Sequence, residues 1–285
     1  TEPTPGKGMV ERDVIRVVSA GTLIEENLLD EKKNNYIVCA FREGTQCALA
    51  WADITTGEFC TRIFTGEKFL QDSLEELVKL SPAEIICNDG YLLGTKGEPA
   101  LRALPPFSCY VPWAFSLRHA AKDLLEQLGC KTLEPVGIAG LPAIGAVGAL
   151  VEYLRETQKH ALGNIDGIRF IRSGETMMLD PAAIADLELV RTLNDGKRRG
   201  SLLWLLDKTQ TSMGARQMHK LILNPLRRKE DICARLDGVE ELYQATVIRS
   251  GMIDTLKGIR DIERIAGKIS NNNLTPRECE SLGAS

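Results

Sequence analysis

The sequence predicts an α/β domain followed by an all-helical region, and three observations carry that prediction. Three strand-like runs, YIVCAF, CALAWADI and EFCTRIF, follow one another between Tyr36 and Phe64, with turn signals between them. Helices and short strands then alternate as far as His160. From Asp180 onwards the apolar residues recur at helical spacing only.

The elements that follow the three strands have the order of a ribonuclease H-like α/β fold. We expect a helix near Ser73 to Leu80, where Ser81-Pro82 stops it, and a short buried strand at 84–87. Another strand is expected at 108–111. Residues 90–106 carry little signal, so an irregular connection is expected there.

Two longer helices complete this domain. The first begins at Ser116, a good N-cap residue, and ends at Gly129. The second runs from about Pro142 to His160. Their apolar stripes are expected to face the core and consist of Leu117, Ala121, Leu124, Leu125 and Leu128 in the first helix, and Ile144, Val147, Val151 and Leu154 in the second.

The flanking segments are simpler. Residues 1–8, TEPTPGKG, should be loose, and VIRVV at 14–18 predicts a short strand. After strand-like residues 168–179, Asp180-Pro181 marks a helix start. Further helices are expected over 182–193, 201–206, 215–223, 229–243 and 247–259. The fourth of them carries an apolar stripe of 3.6-residue period formed by Ile232, Leu236, Val239 and Tyr243.

The composition describes an ordinary globular chain. Hydrophobic residues make up 44% of the 285 residues and charged residues 26%, and the net charge of −4 gives no global attraction to nucleic acid. The sequence contains no apolar run of about 18 residues, which predicts no membrane span, and no signal peptide at its start. Eight cysteines without CxxC pairing indicate reduced, mostly buried thiols of a cytosolic protein.

The stretch from Ser201 to Leu226 has the pattern of two apolar helices that meet at a tight corner. The pattern alone favours core packing for both apolar faces, formed by Leu202, Leu205 and Leu206 in the first helix and by Met218, Leu221 and Ile222 in the second. Between them, DKTQTSMG stops one helix and starts the next. We place the corner at Ser212, Met213 and Gly214, where the glycine permits close helix approach or an unusual backbone angle.

The same stretch carries a family resemblance. The run SLLWLLDKTQTSMGARQMHKLILNPLRRKEDICARLDGVEELY resembles the core-domain signature of the MutS family of DNA mismatch repair ATPases, in which LLD-x-T-x-T-x-MG-x-R leads into a helix, a PL turn and an I-x-x-R-L-x-x-V-x-x-L helix. GMVERDVIRVVSAGT, MMLDPAAIADLELVRTL and DIERIAGKISNNNLTPREC resemble other segments of that family. The family commonly has Asn where Asp186 stands here.

The resemblance implies a division into three parts. Residues 1–27 would be a linker leaving a mismatch-recognition domain, residues 28–162 a ribonuclease H-like connector domain, and residues 163–285 the N-terminal part of a helical core domain. The mismatch-reading element is expected upstream of this segment, and the DNA clamp and ATPase domains downstream.

The resemblance also implies a function. A parent protein of this family is a dimeric clamp in the bacterial cytoplasm that binds mispaired DNA, exchanges ADP for ATP and recruits MutL. This segment would transmit conformational state between the domains of the parent protein and offer a surface to MutL. The alternative is a freestanding scaffold or binding module, such as a MutS relative acting in recombination. A Walker loop downstream in the parent reading frame favours the first interpretation, and a natural stop near Ser285 favours the second.

Chemical sites are not indicated within the segment. A two-metal nuclease of this fold needs clustered carboxylates, but the first strand has no acid, Asp53 sits in DITTGE where an Asp caps a turn, and Glu84 opens a short strand. His119, His160 and His219 lack partners at metal-ligand spacing. No GxxxxGK[ST] loop occurs, so we expect neither catalysis nor a bound cofactor here; ATP and Mg²⁺ would bind elsewhere in the parent protein.

Three surface features remain. Two short basic runs are possible weak phosphate contacts, although solvated helix-end charge is their default interpretation: Lys197, Arg198 and Arg199, and then Arg227, Arg228 and Lys229. Trp51, Trp113 and Trp204 lie in apolar runs and are expected in the core. On the helix after Ser116 the outward residues form a possible MutL-facing surface, equally well interpreted as a solvated face: Arg118, Lys122, Asp123 and Glu126.

Overall fold

A six-stranded mixed sheet organises the first part of the chain. The computed structural model describes residues 17–128, 141–158, 162–163, 165, 167–172, 174–270 and 273–283. Its strands are β1 (Ile37–Glu43), β2 (Gln46–Asp53), β3 (Glu58–Phe64), β4 (Glu84–Cys87), β5 (Phe107–Cys109) and β6 (Arg169–Phe170). They lie in the order β5-β4-β1-β2-β3-β6. The antiparallel pairs are β1 with β2 and β2 with β3, which confirms the predicted meander, and the other neighbours are parallel.

Helices cover both faces of this sheet. They are α1 (Phe69–Leu80), α2 (Asp89–Gly94), α3 (Leu117–Leu128) and α4 (Leu141–Gln158), with short 3₁₀ turns at Ala20–Thr22, Glu26–Leu28, Pro99–Ala103 and Pro112–Phe115. Along β1, Ile37 and Cys39 face one core with α3 and α4, whereas Val38 and Ala40 face the other core with α1. Both faces are therefore buried, which explains the nearly continuous apolar strands.

Several expectations for this domain are confirmed, but the one for residues 90–106 is wrong. The predicted helix near 73–80, the strands near 84–87 and 108–111, and the inward stripe of the last helix all appear in the structure. The region 90–106 is not irregular, because α2 and a 3₁₀ turn occupy much of it. The Asn88 side chain accepts a hydrogen bond from the Tyr91 amide at 3.1 Å, which caps α2.

The buried stripe of α3 differs from the predicted one at its start. Leu117, expected in the core, is 42% exposed, whereas Ala120 and Leu124 are fully buried. The reason is the close approach to α4, where a Cβ on Gly148 would lie 2.2 Å from the Ala120 Cβ. Gly129, the predicted end of this helix, lies outside the described residues.

The segments on either side of the domain contain less strand than expected. Residues 14–16 of the predicted first strand lie outside the described residues, and Val17 and Val18 adopt no strand. In the predicted strand 168–179, only β6 and an isolated bridge from Thr176 to Leu226 form. The physical reason is short pairing, since β6 opposes only two residues of β3.

The second part of the chain is helical, as predicted. It contains α5 (Pro181–Asp186), α6 (Leu202–Leu206), α7 (Ser212–Leu223), α8 (Lys229–Gln244), α9 (Thr246–Leu256), α10 (Ile262–Ser270) and α11 (Pro276–Gly283). Asp180 caps α5 through the Ala183 amide at 2.6 Å, as the sequence predicted. The helix does not continue to residue 193, because Glu188 adopts a left-handed φ of 47° directly after it.

Apolar faces of this helical part are exposed. On α6, Leu203 is buried, but Leu202, Leu205 and Leu206, expected to pack in a core, are all exposed. Met218, Leu221 and Ile222 of α7 are half-buried. The α8 stripe of Ile232, Leu236, Val239 and Tyr243 is 38–72% exposed. No helix among the described residues is both long and apolar enough to cross a membrane.

Candidate interdomain site

Helix α7 lies at the centre of the candidate site, and its start differs from the predicted corner. The Thr211 side chain accepts a hydrogen bond from the Gly214 amide at 3.0 Å, so Thr211 is the N-cap, and Ser212, Met213 and Gly214 form the first turn of the helix. The corner therefore lies before Ser212, in the residues between the end of α6 and Thr211.

Asp207 holds the turn between α6 and α7. Its carboxylate accepts hydrogen bonds from the Thr209 amide at 3.2 Å and the Thr209 hydroxyl at 2.5 Å, and it pairs with the Arg198 guanidinium. Burial acts to raise the pKa of Asp207, but these hydrogen bonds and the Arg198 charge together hold it below its usual value. The hydroxyl-rich sequence DKTQT thus forms a turn that is held by hydrogen bonds between its own residues.

Gly214 packs against this same turn. A Cβ at Gly214 would lie 3.1 Å from both the Thr209 Cβ and the Thr211 Oγ1. Its φ lies outside the left-handed region, so the unusual backbone angle is not the reason for a glycine. Close approach is the reason, but the neighbour is the turn before α7 rather than a second helix.

The second half of α7 contacts the sheet domain through a charged pair. Lys220 Nζ lies 2.5 Å from Glu58 Oε2 at the start of β3. The same carboxylate accepts the Tyr36 hydroxyl at 2.8 Å and lies 3.4 Å from Arg169. The Glu58 side chain is 16% exposed, whereas those of Lys220 and Arg169 are 30% and 66% exposed, so this junction is only partly shielded from water.

A second, more deeply buried charge cluster lies at the end of α7. Glu76 of α1 is 3.0 Å from Arg62 of β3 and 2.7 Å from Lys79, and all three side chains are 4–5% exposed. Lys79 Nζ also donates to Asn224 Oδ1 at 3.0 Å, directly after α7. Arg62 lies within the predicted strand EFCTRIF, and a charge inside an apolar strand is the only sequence signal that could have indicated this cluster.

His219 directly precedes Lys220 on α7. Burial, together with the positive charges of Lys33, Arg198, Lys220 and Arg191, lowers the pKa of His219 to about 4. The imidazole is therefore neutral near pH 7. The site as a whole consists of charged and polar side chains that join the sheet domain to the helical part.

The predicted phosphate contacts are on the surface, and half of them have acidic partners. Lys197 pairs with Asp195 at 2.8 Å, Arg198 with Asp207, and Arg228 with Glu230 at 3.8 Å and with Asp231 at 3.7 Å. Arg199, Arg227 and Lys229 are exposed, and within the described ranges no acidic side chain lies at ion-pair distance from them.

The possible MutL-facing surface is exposed where the structure describes it. Arg118, Lys122 and Glu126 all point outwards on α3, whereas the Asp123 side chain lies outside the described residues. Just before α3, Trp113, expected in the core, is 46% exposed and contacts His119 edge-on with 4.7 Å between ring centroids. Trp204 is exposed as well, and only Trp51 is buried as predicted.

The carboxylates considered for nuclease chemistry have structural partners. Asp53 caps the turn after β2 as predicted, accepting from the Thr55 hydroxyl at 2.6 Å and the Asn35 amide at 3.1 Å. Glu84 accepts from the Tyr153 hydroxyl at 2.6 Å and from the Gly21 amide at 2.9 Å. Within the described ranges, no group of three His, Cys, Asp or Glu side chains could hold a metal ion. His160 lies outside those ranges.

Comparisons with known proteins match both parts of the chain. The model of MutS domain II matches residues 35–166, and the model of MutS domain III matches residues 182–285. The DNA mismatch repair protein MutS of Alkaliphilus oremlandii is 37% identical over 286 residues, covering 99% of this chain and 32% of that protein. The protein of the same name from Clostridioides difficile is 36% identical over 284 residues, which cover 97% of this chain and 29% of that protein. The chain thus spans about a third of the length of these curated relatives.

Proposed function

Because the chain belongs to the MutS family, of which it carries domains II and III, we propose that it is the connector and core segment of a MutS-type DNA mismatch repair protein. We assign the connector to residues 28–162 and the core segment to residues 163–285; the separate matches to residues 35–166 and 182–285 support a division into these two parts. The strand order β5-β4-β1-β2-β3, with only β2 antiparallel to its neighbours, supports a ribonuclease H-like connector.

Mechanical transmission between domains is the role we propose for this segment. The observation that carries it is the pair of charged contacts from α7 to the sheet domain, Glu58 with Lys220 and the Arg62, Glu76, Lys79 cluster with Asn224. Two contacts at separate points along one helix resist its rotation against the sheet. A displacement of the helical part is then passed to the connector as a rigid-body movement.

The partners follow from the proposed identity. As part of a MutS-type protein, the segment would work in the bacterial cytoplasm with mismatched DNA, a second MutS subunit and MutL, and ATP with Mg²⁺ would bind to another domain. The segment itself would perform no catalysis. The carboxylates Asp53 and Glu84 support this assignment, because their oxygens are already bonded to hydroxyl and amide groups.

The transmission role can be tested in the full-length gene product with Lys220→Met. This variant keeps the apolar stem of the side chain and removes the charge that meets Glu58. We expect mismatched DNA to bind as before, while the acceleration of ADP release by a mismatch is lost. Lys257→Met, which removes an exposed ion pair with Asp254 just after α9, is the matched control and should leave that acceleration intact. An unaltered response in Lys220→Met would refute the role proposed for α7.

We propose that MutL meets the outer face of α3, with Arg118, Lys122, Asp123 and Glu126 as the candidate contacts and the exposed Trp113 just before the helix. Exposed tryptophans contribute strongly to many protein interfaces, which supports a binding role for this face. Reversing the charges at Lys122 and Asp123 in the full-length protein should weaken MutL recruitment and spare mismatch binding. Recruitment at the normal level would exclude this face.

A further inference from the structure

Two separate sequence segments meet in one buried cluster that the contacts above do not include. Arg216 belongs to the run MGAR at the start of α7, and Arg264 belongs to DIER at the start of α10. Their side chains are 2% and 3% exposed. Two buried guanidinium groups require partners, and those partners define what the cluster does.

Arg216 joins α7 to the start of α10. Its Nη1 and Nη2 atoms lie 2.6 Å and 2.7 Å from the two oxygens of Asp261, a bidentate pair, and Nη2 is 2.7 Å from Glu263. Burial acts to lower the pKa of Arg216, but the bonds to Asp261 and Glu263 raise it above its ordinary value. Two acids thus balance the charges of Arg216 and Arg264.

Both arginines also bind main-chain oxygens of one loop in the sheet domain. Arg216 Nη1 donates to the Glu31 carbonyl at 3.0 Å. Arg264 Nη2 donates to the Asp30 carbonyl at 3.0 Å and to the Lys33 carbonyl at 2.8 Å. The loop 30–33 leads directly towards β1, the central strand of the sheet.

The three hydrogen bonds to carbonyl oxygens are not needed for charge balance, because Asp261 and Glu263 already balance the arginine charges. Hydrogen bonds to carbonyl oxygens depend on where the loop backbone lies and not on its side chains. A planar guanidinium presents several donors in fixed directions, so it holds these carbonyls in one geometry, which a lysine ammonium cannot reproduce.

We propose that Arg216 and Arg264 are positioning residues that clamp the loop 30–33 and so fix the sheet domain against α7 and α10. This assignment rests on the proposed transmission role, for which it names a third interdomain contact. Together with Lys220 and Asn224, the clamp ties α7 to the connector from Arg216 to the end of the helix.

Trypsin offers a direct test on this chain alone, without DNA or nucleotide. Cleavage after Lys33 requires its carbonyl to enter the protease active site, and Arg264 now binds that oxygen. The cleavage rate then follows how often the loop opens. Lys96, in an exposed turn of the same domain, provides an internal reference. Mass spectrometry measures the ratio of the two rates.

Arg264→Met should raise the ratio of cleavage after Lys33 to cleavage after Lys96 by about tenfold, as expected for loss of hydrogen bonds from a charged donor. Arg216→Lys and Arg264→Lys keep the charge and should raise this cleavage ratio less. If the methionine variant does not fold, the ratios in these two lysine variants test the clamp instead. Two controls should match the wild type: Glu31→Ala, which retains the carbonyl, and Arg228→Met on the surface.

Two results would overturn the clamp. Both leave the ratio unchanged in the folded Arg264 variants: in one the two rates stay constant, and in the other they rise in parallel at Lys33 and Lys96, which would mean general destabilisation. Neither result bears on nucleotide exchange in the full-length protein, so failure of the clamp and failure of the transmission role can be told apart.

Discussion

Gly214 and Gly238 are both helical glycines, but only Gly214 has close neighbours where a side chain would go. A Cβ on Gly214 would lie 3.1 Å from the Thr209 Cβ, whereas nothing lies within 4 Å of one on Gly238. Gly238→Ala should therefore stabilise the protein by about 0.5–1 kcal/mol through the helical preference of alanine. Gly214→Val should destabilise it by about 1–3 kcal/mol because the turn must move.

Urea unfolding of both variants measures this difference. If Gly214→Val raised the free energy of unfolding, the turn at Thr209 would have to move at little cost. The close approach to Gly214 would then not contribute to stability. If Gly214→Val loses stability in the full-length protein but retains mismatch-dependent nucleotide exchange, the glycine serves packing alone. Loss of that exchange at nearly normal stability would indicate coupling through this residue.

His219 makes the stability depend on pH in a defined window. Burial, reinforced by nearby cations, lowers the pKa of His219 from 6.5 to about 4 in the folded protein. Between these two values the unfolded chain binds more protons than the folded one, so the free energy of unfolding rises with pH. The stability that depends on a neutral His219 imidazole is fully present above pH 6.5 and is lost as the pH falls to about 4.

His219→Gln removes this titration and keeps a polar side chain. We expect its free energy of unfolding to fall less than that of the wild type between pH 6.5 and 5, while the contributions of the acidic residues persist in both proteins. Chemical unfolding at several pH values provides the comparison. Equal slopes in the two proteins would mean that His219 takes up its proton without unfolding.

At the scale of elements, the Glu76 carboxylate joins α1 to β3, and Lys79 extends the cluster to Asn224 after α7. The carboxylate lies 3.0 Å from Arg62 and 2.7 Å from Lys79, with all three side chains at most 5% exposed. Glu76→Gln keeps the shape but leaves two buried cations without a counter-charge, so we expect a loss of about 3–5 kcal/mol. Glu75→Gln, the partly exposed neighbour on α1, should stay within about 0.5 kcal/mol of the wild type. Thermal unfolding that gives equal losses in both variants would contradict this account.

Element types could be predicted from local sequence because their causes are local. The apolar runs and turn signals of β1–β3 and the capping signal at Asp180 depend on residues close in the chain. What covers a helical face is not local. The α8 stripe has a clear 3.6-residue period, yet Tyr243 is 72% exposed, because periodicity reports which residues share a face and not what packs on it.

The candidate site was less accessible to sequence reasoning for the same reason. Lys220 and Glu58 are separated by 162 positions, and Arg216 and Glu31 by 185, so no spacing rule links them. The resemblance placed Gly214 and the MG-x-R arginine in a named motif but gave no partner for either. Asp53 could be assigned correctly as a turn cap, since its partner Thr55 is two residues away.

For the whole molecule, the charge distribution predicts how strongly the isolated chain binds DNA. The net charge is −4, and three of the six cations in the basic runs, Lys197, Arg198 and Arg228, are paired with acids. We therefore expect weak binding that depends strongly on salt. With Arg199, Arg227 and Lys229 available, about three phosphates could be contacted, which gives a log–log salt slope near −3.

Binding should not distinguish a mismatch from a matched duplex, because phosphate contacts carry no sequence information. Titration of matched and mismatched duplexes at several salt concentrations tests both statements. Replacing Arg199, Arg227 and Lys229 by methionine should flatten the salt slope, and replacing the already paired Lys197 should change it less. A several-fold preference for the mismatched duplex would contradict the prediction and assign lesion recognition to this segment itself. Equal weak binding to both duplexes leaves recognition to another domain of the parent protein and is consistent with a segment that transmits movement.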